Sequence, residues 1–337
     1  MTNEAQVKDC LAQVMVPGVL RSIVDMNLVR GIDIDAGQVK VTLANTALNQ
    51  EAQDFIAKQI TALCKLLPEV ETSTVDFTEV SAKDLNEVKN VIAVMSGKGG
   101  VGKSLVTGLI AMALQRNGAS VGILDADITG PSIPWLFGLA DERAGGSQSG
   151  MLPARTHTGI SVMSMNLLLP NEDDAVIWRG PLIGKVITQF WEEVLWGKLD
   201  YLIVDLPPGT ADAPLTVMQS LPIQGVVIVF TPQDLTAMVV RKAIKMAEQM
   251  KKPILGVVEN MSYLHIPEMN KKMELFGASR GEEMARAAHA PLLARLPIDP
   301  DLVKLCDSGN LEDWDSEDME ALSDALYKVL SLKNNQP

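Results

Sequence analysis

The chain has 337 residues, 47% of them apolar, and a formal net charge of −13 from 29 basic and 42 acidic side chains. That length suits one large domain plus a small one with a sizeable core. The acidic balance argues against nonspecific nucleic-acid binding, which depends on Lys and Arg neutralising phosphates.

Cys10, Cys64 and Cys306 lie far apart, and no pair has C-x-x-C spacing, so a reducing compartment is expected. The first residues, Met1-Thr2-Asn3-Glu4, are polar and unlike a signal peptide. No uncharged apolar run reaches the roughly 18 residues of a membrane span. A cytoplasmic protein with no membrane span and no nucleic-acid partner is the expectation.

Residues 1–80 read as a small α+β domain. Apolar spacing predicts a helix over 4–14. Strands over 29–34 and 39–43 flank the turn Asp35-Ala36-Gly37-Gln38, a hairpin signal. An amphipathic helix covers 50–66, with Phe55, Ile56, Ile60 and Leu63 apolar, and a strand covers 75–80. The polar stretch 81–89 reads as a linker.

Over 90–332 strands and helices alternate, with strands expected at 91–96, 120–124, 160–164, 200–205, 225–230 and 253–258. Near-continuous apolar runs such as Tyr201-Leu202-Ile203-Val204 and Val226-Val227-Ile228-Val229 suit a parallel sheet covered on both faces. The expected fold class is therefore α/β: a doubly wound, mostly parallel sheet preceded by the small α+β domain, with nucleotide at the carboxyl ends of the strands. Residues 141–150, rich in Gly and Ser, read as a mobile loop, and 333–337 as a frayed tail.

The run Gly97-Lys98-Gly99-Gly100-Val101-Gly102-Lys103-Ser104 fits G-x-x-x-x-G-K-S, the phosphate-binding loop of nucleotide hydrolases. Glycines let backbone N–H groups turn inward around an anion. Lys103 reaches the β- and γ-phosphates, and the Ser104 hydroxyl suits Mg²⁺. A buried strand before the loop and a helix over 104–117 after it complete the context. Lys98 is a second lysine that an ordinary phosphate loop does not need. One reading is a solvated charge. The sharper one is a cation that completes another subunit's site, as an arginine finger does.

Two acidic segments follow strands. Asp205, opening Asp205-Leu206-Pro207-Pro208-Gly209-Thr210, is a candidate for the Mg²⁺ shell through water. In Asp125-Ala126-Asp127, Asp127 is the candidate that positions or activates the attacking water, and Asp125 supports the metal shell. The alternative for any one of these is a cap or turn residue. The Gly209 N–H could meet the γ-phosphate. Asn260 carries an amide that can read adenine at N7 and N6, favouring ATP over GTP, or it is an ordinary loop asparagine.

The G-K-G-G-V-G-K-S form resembles the deviant phosphate-loop ATPases that work as face-to-face dimers. Residues 97–104, Asp125 to Ser132, Trp178-Arg179-Gly180-Pro181, Asp205 to Thr210, Thr231-Pro232-Gln233-Asp234, Glu259-Asn260-Met261-Ser262 and Leu296-Pro297-Ile298-Asp299-Pro300 resemble the successive signatures of Mrp/ApbC-type ATPases. The first domain, with Ser22-Ile23-Val24-Asp25 and Asn27-Leu28-Val29, resembles the iron–sulfur-assembly domain often fused ahead of them. The resemblance implies a homodimeric ATPase that binds ATP and Mg²⁺. It also implies an iron–sulfur cluster bridged by a C-x-x-C pair from each subunit and delivered to client proteins.

The sequence departs from that pattern where the cluster chemistry sits. The family's C-P-x-C is matched here by Ile266-Pro267-Glu268-Met269. Iron–sulfur clusters need thiolates, so direct cluster binding through this pair is in doubt. His265 and Met269 have i, i+4 spacing for a soft metal, against the blander reading of a loop histidine and a packing methionine. The function expected is an ATPase of iron–sulfur or metallocofactor assembly, as carrier or as client-loading adaptor. A positioning or scaffold ATPase that recruits partners through its ATP-dependent dimer is the alternative. An interaction protein with a vestigial site fits poorly with intact Lys98, Lys103, Ser104, Asp127 and Asp205.

Overall fold

The computed structural model describes residues 2–128, 130–169, 180–266 and 271–334. Thr129, Trp178, Arg179, Pro267, Glu268 and Met269 fall outside them. The chain forms two compact units. The first comprises Met1–Lys89, Arg143–Arg155 and Gln189–Leu199, and the second the remaining stretches from Asn90 to Pro337.

The first unit is built on a three-stranded sheet. Val29–Asp35 pairs antiparallel with Gln38–Ala44, which pairs parallel with Thr72–Thr78. The hairpin signal holds: Ala36 and Gly37 take φ of 43° and 79°, as a two-residue turn matched to strand twist requires. Helix Glu4–Leu11 starts on a capping box between Asn3 and Gln6. Helix Gln50–Cys64 starts on Asn49, buries Ile56, Ile60 and Cys64, and leaves Phe55 exposed.

The polar segment 81–89 carries a one-turn helix, Ala82–Leu85, and opens the strand Glu87–Ser96. Residues 141–150, expected as a mobile loop, instead contain Gly145–Ser147 paired antiparallel with Gly150–Leu152. Glycine masked this short hairpin from the sequence reading. Leu152 and Leu195 join the unit's apolar cluster with Leu11, Leu28, Leu43 and Ile60. Buried Arg21 fastens the recruited segment, donating to the carbonyls of Trp196 and Lys198, each at 2.8 Å. Desolvation lowers its pKa to about 10.

The second unit holds the large sheet. Its order runs Lys271–Met273, Ile254–Ile266, Gly225–Phe230, Glu87–Ser96, Lys198–Asp205, Val121–Asp125, Ser161–Met163, with Leu292–Ile298 beside Ile254–Ile266. Gly225–Phe230 pairs in parallel with Ile254–Ile266 and with Glu87–Ser96, and Val121–Asp125 in parallel with Lys198–Asp205 and with Ser161–Met163. Leu292–Ile298 pairs in parallel with Ile254–Ile266, while Lys271–Met273 is antiparallel at the edge. Helices flank it, among them Lys103–Arg116, Asp234–Gln249 and Glu317–Asn334. All six expected strands are present. The last runs on to Ile266, and Leu292–Ile298 was missed because its Arg295 and Pro297 interrupt the apolar run. The strand Glu87–Ser96 lies between strands that come later in the chain, one on each side. That is the switch point where doubly wound sheets bind ligands, at the carboxyl ends.

Candidate functional site

The phosphate loop leaves the sheet at Ser96 and enters helix Lys103–Arg116. Gly102 precedes the helix in the left-handed region, φ 79°, and no side chain caps the first turn. The first N–H groups are thus left to an external acceptor. Gly102 is required twice over: a Cβ there would also lie 2.1 Å from the Asn260 amide nitrogen. Gly97 is required by close approach, since its Cβ would lie 2.4 Å from Val239 Cγ1 on helix Asp234–Gln249.

The loop borders a cavity of about 280 Å³ lined by Lys98, Gly99, Gly100, Gly102, Lys103, Ser104 and Asp127, with Ser132, Leu136 and Pro208 on its other walls. Lys103 Nζ lies 2.7 Å from Asp205 Oδ2 and 3.9 Å from Asp127 Oδ2. Asp205 is fully buried. Its Oδ2 also accepts from Ser104 Oγ at 2.6 Å, and its Oδ1 from Thr107 Oγ1 at 2.7 Å. One carboxylate therefore ties together the lysine, the serine and the next turn of the helix.

Asp125 pairs in register with Asp205 across adjacent strands. It accepts from Ser164 Oγ at 3.1 Å and from the Ile133 N–H at 3.3 Å. Burial and the neighbouring Asp205 push its pKa up to about 8, against the opposing pull of Lys103 and the Ile133 N–H.

The remaining sequence candidates stand behind these. The Gly209 N–H donates to the Ser96 carbonyl at 3.0 Å, so it is engaged by the strand rather than turned to the cavity. Asn260 is buried and donates its amide to the Val101 carbonyl at 2.9 Å. Lys98 Nζ donates to Gln233 Oε1 at 2.7 Å. Three participants had no role assigned from sequence: Thr107, Ser164 and Gln233. Helical spacing signals Thr107, one turn after Lys103. Gln233 lay within a quoted signature, and nothing local flags Ser164.

The donor set around Ser104 and Asp205 is hard oxygen, which fits Mg²⁺. Among the described residues no group of three or more His, Cys, Asp or Glu is placed to hold a metal unaided. Mg²⁺ commonly takes one or two protein oxygens and completes its shell with phosphates and water, so a nucleotide-dependent ion fits this arrangement. Among the described residues, which include all three cysteines, the same finding leaves no thiolate cluster. Ile266 is an apolar strand end with exposed His265 beside it. No helix among the described residues is long and apolar enough to cross a membrane.

A phosphate loop at the switch point of a doubly wound sheet, with buried aspartates at the neighbouring strand ends, defines a P-loop NTPase. The model of the NUBPL iron-transfer P-loop NTPases matches residues 87–330, and that of the iron–sulfur cluster assembly proteins matches residues 4–77. The chain belongs to the iron-transfer P-loop NTPase family, the group its motifs resemble as Mrp/ApbC-type, with an iron–sulfur-assembly domain ahead.

The iron–sulfur cluster carrier protein of Synechocystis is 40% identical over 321 residues, covering 92% of this chain and 90% of that protein. That of Clostridium perfringens is 48% identical over 237 residues, 68% and 83% of the two chains. The structure of a nucleotide-binding protein from Archaeoglobus fulgidus in complex with ADP superposes with a TM-score of 0.62 at 49% identity. It covers 69% of this chain and 91% of that one. Family membership implies nucleotide hydrolysis, with Mg²⁺ as the accompanying ion.

Proposed function

We propose that this chain is a Mg²⁺-dependent ATPase that works as a homodimer in iron–sulfur or metallocofactor assembly. The observation that carries the reading is the Asp205 carboxylate, joined to Lys103, Ser104 and Thr107. Its partners hold the phosphate-facing groups in place before substrate arrives, which is how electrostatic catalysis avoids reorganisation.

In this reading the inward N–H groups of residues 97–104 cradle the phosphates, and Lys103 neutralises charge on the β- and γ-oxygens. Ser104, with Asp205 and Asp125 through water, would hold Mg²⁺, which supplies charge neutralisation at the phosphates. Asp127, on the cavity wall, orients a water toward the γ-phosphorus. That water's oxygen bonds to phosphorus as the bond to the ADP oxygen breaks, and its proton leaves with the phosphate product or the Asp127 carboxylate. Lys98 of one subunit stabilises this charge in the other's site. The Asn260 amide faces adenine once nucleotide binds, and the Gly209 N–H exchanges the Ser96 carbonyl for the γ-phosphate.

Iron–sulfur cargo would not be held at Ile266, which offers no ligand atom. The role in assembly is then exerted on client proteins or on a cluster bound by other partners. The decisive experiment pairs an ATPase assay with anaerobic purification and iron and acid-labile sulfide analysis. Turnover that requires Mg²⁺ and Lys103, in protein free of iron, supports the reading. A chain without turnover, or with stoichiometric cluster of its own, overturns it.

A further inference from the structure

Lys98 is not a free cation in this structure. Its ammonium donates to the amide oxygen of Gln233 at 2.7 Å. Its own carbonyl accepts from Ser96 Oγ at 2.9 Å, so the backbone at this point is fixed as well. Gln233 sits at the N-cap of helix Asp234–Gln249, yet its side chain makes no capping bond. The residue type best suited to that position is Ser, Thr, Asp or Asn. The glutamine side chain is spent on Lys98 instead. The same helix touches the loop directly, since Val239 occupies the space a Cβ on Gly97 would need. Helix and loop thus lie against one another where Gln233 reaches Lys98.

We propose that Gln233 is a positioning residue that holds Lys98 on its own subunit's loop and releases it when a partner subunit presents a nucleotide. The inference rests on the reading that Lys98 acts across a dimer. An amide is suited to the task because it is neutral. A hydrogen bond from an ammonium to a neutral amide carbonyl is strong enough to order the lysine, and weaker than an ion pair with a carboxylate, in which both partners are charged. A γ-phosphate, with its multiple negative charge spread over its oxygens, outcompetes the neutral amide. A carboxylate at the same position would compete with them.

The test uses the full chain and four variants: Gln233→Glu, Gln233→Ala, Lys98→Ala and the double variant Lys98→Ala/Gln233→Glu. ATP turnover is measured against substrate and protein concentration, and ADP affinity by calorimetry. Gln233→Glu should lower kcat about tenfold, the difference between a neutral and an anionic acceptor for the same ammonium. KM and ADP affinity should stay unchanged, and the deficit should shrink as added salt screens the new pair. In the Lys98→Ala background Gln233→Glu should have no further effect. Gln233→Ala adds no charge and should reach half-maximal turnover at lower protein concentration than the parent.

Parental kcat for Gln233→Glu overturns the proposal. So does an equal loss with and without Lys98, which would mark Gln233 as merely structural. Unaltered concentration dependence in Gln233→Ala does the same should the charged variant fold poorly. Full turnover by Lys98→Ala would instead overturn the dimer reading beneath it. Slow Lys98→Ala beside normal Gln233→Glu overturns this inference alone.

Discussion

Asn260 donates its side-chain amide to the carbonyl of Val101 over 2.9 Å, so it braces the phosphate loop from behind. Asn260→Ala leaves a loop carbonyl without its donor, a loss of about 1–3 kcal/mol. ADP affinity should fall by roughly tenfold or more on that scale, measured by calorimetry. The parent should also prefer ATP to GTP. Equal affinities would rule out Asn260 as the base reader while leaving its bracing role.

Gly102→Ala should act through the same contact. Its new Cβ would sit 2.1 Å from the Asn260 amide nitrogen and pushes that side chain off Val101. A further ~1–2 kcal/mol comes from the left-handed backbone. In the Asn260→Ala background only the backbone part should remain. Identical losses in both backgrounds, by the same calorimetry, would refute the coupling.

Lys103→Ala should abolish turnover, and it should also destabilise the chain. Lys103 and Asp205 are both buried and 2.7 Å apart, so removing the lysine strands a charge. Breaking a buried pair costs about 3–5 kcal/mol, here reduced by the hydroxyls of Ser104 and Thr107 that still donate. Urea unfolding, with circular dichroism to confirm the fold, measures it. Undiminished turnover in a folded variant would exclude this site as the engine.

Stability of the nucleotide-free protein should decline as pH rises. Burial and Asp205 lift Asp125 from its ordinary 3.8 to about 8. Between those values the native chain holds a proton that the unfolded chain has released. The contribution is therefore complete below the lower value and lost on passing the upper one. Asp125→Asn should flatten this slope and be the more stable protein at alkaline pH. Urea midpoints at acid and alkaline pH decide it: a parent slope unchanged by the substitution would assign the effect elsewhere.

Reconstitution with iron and sulfide should leave the unaltered protein colourless, without sulfur-to-iron charge-transfer absorption. Ile266→Cys with Met269→Cys restores the thiolate spacing and should recover binding where the loop has kept its geometry. A coloured parent that bleaches on substitution of Cys10, Cys64 or Cys306 would show that the ligands have moved.

The phosphate loop, its flanking strand and helix, and the paired aspartates were legible because each is a short-range pattern. The contacts that complete the site were not. Lys98 to Gln233 and Val101 to Asn260 join residues 135 and 159 positions apart. Their meeting depends on which strands neighbour one another, and no local periodicity carries that. The Gly145–Leu152 hairpin escaped for the opposite reason: glycine gives a strand no apolar alternation to read. Gly209 and Ser104 were assigned phosphate and metal partners, and in this state both are engaged within the protein, by Ser96 and Asp205.

The apolar cluster of the first unit needs Leu152 and Leu195, which the ribosome supplies long after Lys89. At roughly 5–20 residues per second, synthesis from residue 90 to residue 199 takes about 6–22 s. Through that interval Leu11, Leu28 and Ile60 have been made but their last packing partners have not. The stretch that is translated first is thus finished late, and it waits on a segment embedded in the P-loop NTPase sequence. A nascent chain stalled with residue 199 still inside the exit tunnel should be cleaved readily within its first 89 residues, and one stalled well beyond it should resist.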